Sequence, residues 1–368
     1  MSPRPVVTIG RGFAQLPPVL HTIAEPKQRN YASYFSHAPT TGLFMITLQN
    51  FLAPDPAICT ESQLYHREAG TVGLSYDSGT YVIPRSSRLS FDTYFNLFNL
   101  DSWRHCQLDG LFVELSGQGE VELQITHAAP GHSYEVIHRQ VTTLQSDAPY
   151  QLDLSHLLET AHGVVFVSLT AIGDRVVLER ARFATRSLPE RVLPELTVSI
   201  TTFRRETAVR ATVERLEAFL EEFPFADHIR VQVVDNGESA NIQPSSHVTP
   251  YPNRNLGGAG GFARGLLEAE EAGASHCLFM DDDASFHMEN IARTYMVLAL
   301  ARDPKTAIAG AMINSQDKWA LWENGAWFDG VCHPIANGTD LRNHRALIQM
   351  QFDSVAPQPD TLYGGWWF

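Results

Sequence analysis

The hydrophobic pattern of this 368-residue chain changes period once, near residue 190, so two differently built domains are expected. Before that point, short apolar or alternating stretches at 42–48, 79–83, 89–95, 108–116, 119–126, 134–144, 150–154, 164–172 and 175–183 are separated by Gly, Pro, Asp and Ser. They are rich in Val, Ile, Thr, Phe and Tyr, and only 155–160 reads as a turn of helix. Residues 1–188 therefore read as a β-sandwich or jelly roll. Leu188-Pro-Glu-Arg-Val-Leu-Pro-Glu195 then sets two prolines around a polar stretch, which predicts a linker over 189–195.

After the linker, strands and helices alternate. Strands are expected at 196–202, 230–234, 277–280 and 307–313. Helices are expected at 206–222, where Val209, Val213, Leu216 and Leu220 recur at helical spacing, and at 259–272 and 288–302. Such alternation predicts a mostly parallel, Rossmann-like sheet over 196–368, with ligands outside the carboxyl ends of its strands. The whole reads as a multidomain β plus α/β chain.

Composition narrows the partners. Lys and Arg total 27 against 41 Asp and Glu, a net charge of −14, which argues against a nucleic-acid backbone binder. With 44 % apolar and 18 % charged residues, the chain can bury large cores. No apolar stretch approaches the roughly 20 residues of a membrane span. No basic segment leads into an apolar run at the start, so no secretory signal is expected. Cys59, Cys106, Cys277 and Cys332 are scattered and read as reduced thiols of a cytoplasmic protein.

The chemistry lies at the strand ends. The first strand runs into Thr202-Phe203-Arg204-Arg205, the second into Asp235-Asn236-Gly237, and the third into Asp281-Asp282-Asp283. Alternate residues leaving a strand point the same way, so Asp281 and Asp283 are expected to converge while Asp282 faces elsewhere. Two convergent carboxylates suit Mn²⁺ or Mg²⁺, and their crowded charge is costly without a cation. The plainer alternative is a solvated acidic turn before a helix. Asp235 can accept hydrogen bonds from the edge of uracil or thymine, and the planar fork of Arg204 suits a base or a phosphate. Asp-Asn-Gly is also an ordinary turn.

The run Asn253-Arg-Asn-Leu-Gly-Gly-Ala-Gly-Gly-Phe-Ala-Arg-Gly265 formally contains a dinucleotide fingerprint, with no strand expected immediately before it. A glycine-rich helix entry admits a ligand to the backbone and offers N–H groups to an anion; alternatively it packs a helix closely. Trp319, Trp322, Trp327, Trp366 and Trp367 can stack on sugars or bases, or fill a core. His287, His333 and His344 lack ligand spacing and receive no role.

In their order, Thr-Thr-Phe-Arg-Arg, Asp-Asn-Gly, the Gly-rich run, Leu-Phe-Met-Asp-Asp-Asp and Gly-Gly-Trp-Trp resemble the galactofuranosyltransferases, inverting family 2 glycosyltransferases of GT-A fold. The resemblance spans 196–368, and looser likeness extends to the first half, since galactan-polymerising members carry a β-sandwich ahead of the GT-A domain. It implies a UDP-galactofuranose donor, a glycan or lipid-linked glycan acceptor, and Mn²⁺ or Mg²⁺. Thr202, Phe203, Arg204, Asp235, Asn255, Gly257, Gly258 and Asp282 would contact the nucleotide. Asp281 and Asp283 would hold the cation and diphosphate, and Trp366 and Trp367 would border the sugar and acceptor pocket.

Family members place the catalytic base and a metal-binding histidine beyond the Trp-Trp motif. The base is thus expected beyond Phe368, the GT-A domain reads as incomplete, and the chain alone is expected to transfer poorly or not at all. Within Trp322-Glu-Asn-Gly-Ala-Trp-Phe-Asp329, Ala326 stands where the family has glutamate. Peripheral association with the inner face of the plasma membrane and a homo-oligomeric state are both compatible with this reading. The alternatives are a related transferase using another donor, such as dTDP-rhamnose, and a non-catalytic carbohydrate-binding or assembly protein.

Overall fold

The computed structural model describes residues 45–353 and 362–363. The first half contains β1 (Ile46–Asn50), β2 (Arg67–Ala69), β3 (Gly73–Ser75), β4 (Thr80–Pro84), β5 (Arg88–Ser90) and β6 (Phe98–Asn99). After a short helix, α1 (Leu100–Trp103), come β7 (Phe112–Ala128), β8 (Glu135–Leu144), β9 (Tyr150–Asp153), a second short helix α2 (Leu157–Thr160), β10 (Val164–Ala171) and β11 (Arg175–Thr185). These strands pair antiparallel in a curled sheet around one apolar core.

The 17-residue β7 is its spine: Phe112–Gln118 pair with β11, and Val121–Ala128 pair with β10. The sequence reads as two strands here, broken at Gly117 and Gln118. The structure has one, because Gly117 and the next glycine, Gly119, lie under a neighbouring backbone rather than in a turn. A Cβ on Gly117 would stand 2.0 Å from the Val177 carbonyl oxygen, and one on Gly119, at φ +110°, 2.4 Å from that of Arg175. Glycine inside a strand often marks such a close approach.

The second half contains β12 (Leu196–Thr202), α3 (Glu206–Leu220), β13 (Ile229–Asp235), β14 (Val248–Pro252), α4 (Gly257–Glu271), β15 (His276–Asp281) and α5 (Met288–Leu300). The strands form a parallel sheet in the order β14-β13-β12-β15. In chain order this is 3-2-1-4, with the reversal of winding between β12 and β15, and ligands of open α/β sheets bind beyond the strand ends at such a reversal. Val209, Val213, Leu216 and Leu220 are all buried on α3, as their spacing predicts.

Two expectations for this sheet are corrected. Its fourth strand is β14, not 307–313. Val248-Thr-Pro-Tyr-Pro252 carries two prolines, which an edge strand tolerates because it needs ladder bonds on one side only. Within 307–313, only Met312–Ile313 forms a strand (β16), in an antiparallel pair with β17 (Leu321–Glu323). A strand also does precede the glycine-rich run, since β14 ends at Pro252. Beyond lie β18 (Ala326–Phe328), β19 (Cys332–Pro334), α6 (His344–Asp353) and β20 (Leu362–Tyr363).

The two sheets share a continuous apolar core, and α5 is the bridge between them. Glu289, almost fully buried, accepts from the backbone N and Nδ2 of Asn50 at 2.7 and 3.0 Å, while Arg293 donates to the carbonyls of Asn50 and Phe95. His287 meets the Tyr65 hydroxyl at 2.7 Å. In the connecting stretch, Arg191 donates to the carbonyls of Ala299 and Ala301. Among the described residues, no helix is long and apolar enough to cross a membrane, and Cys59, Cys106 and Cys277 are free thiols.

Candidate active site

Three strands end side by side at the reversal of winding. Thr202 pairs in register with Asp235 on β13, and Thr201 with Asp281 on β15, so β12 lies between the two acidic exits. The apolar faces of these strands are locked into the core by Val198, Ile200, Val233, Leu278 and Met280, all nearly fully buried. Rigid strands thereby hold the polar turns at their ends.

The turn at 281–283 splits its three carboxylates. Asp282 turns inward and is buried, accepting from the Thr202 hydroxyl at 2.7 Å and from the Phe203 backbone N–H. Its own carbonyl accepts from the Thr212 hydroxyl at 3.3 Å. Asp281 and Asp283 face outward. Burial, then the neighbouring charges of Asp283 and Asp282, push the Asp281 carboxyl above the usual range, and Arg205 only partly offsets this. Burial also raises Asp282, against the Thr202 hydrogen bond. Two outward carboxylates on an under-neutralised turn are a donor set that suits a hard divalent cation, which commonly takes one or two carboxylates plus substrate phosphates. Among the described residues, no group of three or more His, Cys, Asp or Glu side chains is gathered for a metal.

Of the two adjacent arginines, it is Arg205 that reaches this turn. Its guanidinium pairs directly with Asp283 and lies 3.6 Å from Asp282. Arg204, the residue singled out from sequence, instead takes a left-handed conformation (φ +54°) and stacks its guanidinium 5.0 Å from the Phe203 ring centroid, in solvent. One signal in the sequence pointed to Arg205. A cation at the start of a helix opposes the helix dipole, and acidic partners offset that cost.

Asp235 is buried at the end of β13 and shapes its own loop: its two carboxylate oxygens accept from the backbone of Gly237 at 2.9 Å and Ala240 at 2.7 Å. Asn236, quoted in a motif but given no role from sequence, ties three segments together. Its backbone N donates to the Thr202 carbonyl, its Nδ2 to the Gly257 carbonyl at 3.2 Å, and its Oδ1 accepts from Asn253 at 2.7 Å. Asn255, exposed, accepts from the Gly257 backbone N at 3.0 Å.

The glycine-rich run divides in two. Gly261 and Gly265 are buried against β12: a Cβ would come 2.2 Å from Thr201 and 2.0 Å from Ser199 respectively. These are packing glycines. Gly257, at φ +74°, has open space where a Cβ would stand, and Gly258 meets only Phe262 at 3.9 Å. Both are exposed at the start of α4, where backbone N–H groups are free of intrahelical partners. The site thus brings together Thr202, Asp281, Asp282 and Asp283, with Asp235, Asn255, Gly257 and Gly258 joined to them through Asn236. Trp366 and Trp367 lie outside the described residues.

No protein-family profile matches the chain. It is similar to the galactofuranosyltransferase GlfT2 of Mycobacterium tuberculosis, 27 % identical over 253 residues, covering 64 % of this chain and 38 % of that protein. It is also similar to GlfT2 of Mycolicibacterium smegmatis, 28 % identical over 310 residues, covering 76 % of this chain and 46 % of that one. Both support a GlfT2-like relationship, in line with the motif order, and the chain spans less than half the length of either relative. Likeness to solved structures is weak: the carbohydrate-binding module CBM29-2 matches at 11 % identity over 38 % of this chain and 91 % of that one, with a TM-score of 0.24. The Gap123 glycosylation-associated complex of Streptococcus agalactiae matches at 13 % over 45 % and 43 %, with a TM-score of 0.22. Neither bears on the fold.

Proposed function

We propose that this chain carries the donor-binding part of an inverting GT-A glycosyltransferase that transfers galactofuranose from UDP-galactofuranose to a growing glycan. The observation that carries this reading is the polar cluster at the reversal of winding, where the Thr202–Asp282 bond leaves Asp281 and Asp283 facing outward. The similarity to GlfT2 over most of the chain supports the same reading.

Each residue has a role in it. The 235–240 loop, shaped by Asp235, and the Phe203–Arg204 pair form the nucleoside side of the site. The Asn255 amide and the open backbone at Gly258 receive phosphate oxygens, and Gly257, held by Asn255, leaves the approach clear. Asp282 acts from below, holding the turn against Thr202, and Arg205 contributes positive charge beside the diphosphate. Asp281 and Asp283 would hold Mn²⁺ or Mg²⁺, which offsets charge developing on the UDP leaving group. Trp366 and Trp367 are assigned to the sugar and acceptor side, and no general base is assigned to this chain.

The test is calorimetric titration of the full chain with UDP in the presence and absence of Mn²⁺, with dTDP as competitor. UDP is expected to bind more tightly with Mn²⁺, and Asp281→Asn with Asp283→Asn to remove that difference. Metal-independent binding that these substitutions leave unchanged refutes the assignment. Preference for dTDP would move the donor to a deoxythymidine sugar.

A further inference from the structure

His287, to which the motifs assign no role, stands at the far end of the connection that carries the acidic turn. β15 ends at Asp281 and α5 begins at Met288, so residues 282–287 run between them, and His287 is the last before the helix. Asp281 and Asp283 are exposed, so the backbone rather than side-chain packing decides where their carboxylates stand. At the near end the α/β half fixes that backbone by itself, through Thr202 and Thr212 on Asp282. Arg215 of α3 then donates to the Phe286 carbonyl, its guanidinium 5.4 Å from the Phe286 ring centroid.

The far end is held by the β-domain. His287 is buried, with its ring centroid 5.6 Å from that of Tyr65 and 5.1 Å from that of Phe95, edge-on to both. The Tyr65 hydroxyl meets His287 Nε2 at 2.7 Å. Tyr65 is itself fully buried and stacks on Phe95 at 4.6 Å, and its carbonyl accepts from the Asn96 amide at 2.6 Å. Asn96 also accepts from the Leu52 backbone N and donates to the Leu52 carbonyl, both at 2.7 Å. A rigid part of the β-domain thus presents the hydroxyl. Four residues separate His287 from Asp283, no more than about 14 Å at full extension, so a displacement of His287 reaches the turn.

We propose that Tyr65 is a positioning residue for the acidic turn: through His287 it fixes the 281–283 backbone, so the β-domain shapes the site in the other half of the chain. The reason is an asymmetry between the two ends of the connection. The near end is held by groups on β12 and α3, which move with the sheet. The far end is held across the domain boundary by one hydrogen bond in a dry aromatic pocket, where such a bond is strong and leaving its imidazole unpaired is costly. Without that hydroxyl, the start of α5 keeps Glu289 and Arg293 on Asn50, while the residue between helix and turn loses its polar anchor. The consequence for UDP rests on the transferase reading; the fixing of the turn does not.

The test compares the full chain with Tyr65→Phe, which keeps the ring and removes only the hydroxyl. Tyr81→Phe is the matched control, since the buried Tyr81 hydroxyl meets His66 at 3.1 Å within the β-domain. In Tyr65→Phe, hydrogen exchange is expected to quicken about tenfold at the backbone amides of 283–290, the scale of one buried hydrogen bond, and to keep its original rate in β12 and β13. UDP affinity in the presence of Mn²⁺ is expected to fall severalfold in Tyr65→Phe and to hold in Tyr81→Phe. Unchanged exchange over 283–290, equal quickening in β12 and β13, the same local change in Tyr81→Phe, or UDP affinity unmoved by a loosened turn overturns the proposal. The exchange measurement needs no nucleotide, which keeps the two readings apart. If the unaltered chain fails to bind UDP while Tyr65→Phe still loosens 283–290 locally, only the transferase reading falls.

Discussion

Gly265→Ala separates packing from ligand binding in the glycine-rich helix. A methyl at Gly265 would stand 2.0 Å from Ser199 Oγ and 3.1 Å from Gln232 Nε2, both buried. Relieving the first contact means moving α4 about 1.5 Å off β12, since non-bonded atoms settle near 3.5 Å. That displacement loosens the Gln232 amide, which donates to Ser199 Oγ at 3.0 Å and to the Gly265 carbonyl. Overpacking costs about 1–3 kcal/mol and each strained hydrogen bond about 1 kcal/mol. Replacing a helical glycine by alanine returns about 0.5–1 kcal/mol. The net expectation is a loss of about 2–4 kcal/mol, read as a lower midpoint in urea unfolding followed by fluorescence. Gly258→Ala is the control: its methyl would meet only Phe262 at 3.9 Å, so stability should hold or rise, while UDP binding weakens. If Gly265→Ala is neutral or stabilising, helix propensity rather than helix–sheet contact governs this run, and the reasoning fails.

Thr202→Val leaves the buried Asp282 carboxylate without its hydroxyl donor and should cost about 1.5–3 kcal/mol, with UDP affinity falling as the 281–283 turn loosens; an unchanged urea midpoint would dismiss it. Burial holds His66, His276 and His344 below the ordinary histidine range. Because the fold favours their neutral forms, the stability they contribute is complete above about pH 6.5 and is lost as the pH falls below it. Unfolding midpoints should therefore drop between about pH 7 and pH 5.5, and His66→Asn should flatten that drop; a rise on acidification contradicts the assignment. Burial pushes the Cys106 thiol up to about 12, so iodoacetamide should spare it in the native protein and label it in urea, as mass spectrometry of the peptide would report.

Much of the α/β half was legible because its cues are local. The spacing of Val209, Val213, Leu216 and Leu220 needs only one helix to be meaningful, and all four are buried. β12 begins and ends where its apolar run does. Where neighbours in space decide, local pattern misleads. Val248–Pro252 is a strand because it lies at a sheet edge, and proline chemistry alone argues against it. Gly117 and Gly119 look like a break until β11 crosses them. Arg204 and Arg205 are chemically identical, and the left-handed turn at Arg204 sends the next guanidinium to Asp283.

Periodicity and strand polarity act over a few residues, and they place a β half before an α/β half and put carboxylates and an arginine pair at strand exits. Which of those groups meet depends on how distant strands pair. Thr202 and Asp282 are 80 residues apart in the chain and 2.7 Å apart in the fold. The order of the strands made that contact, turned Asp282 inward and left Asp281 and Asp283 outward. Local pattern carries the elements; pairing between distant strands carries the sites.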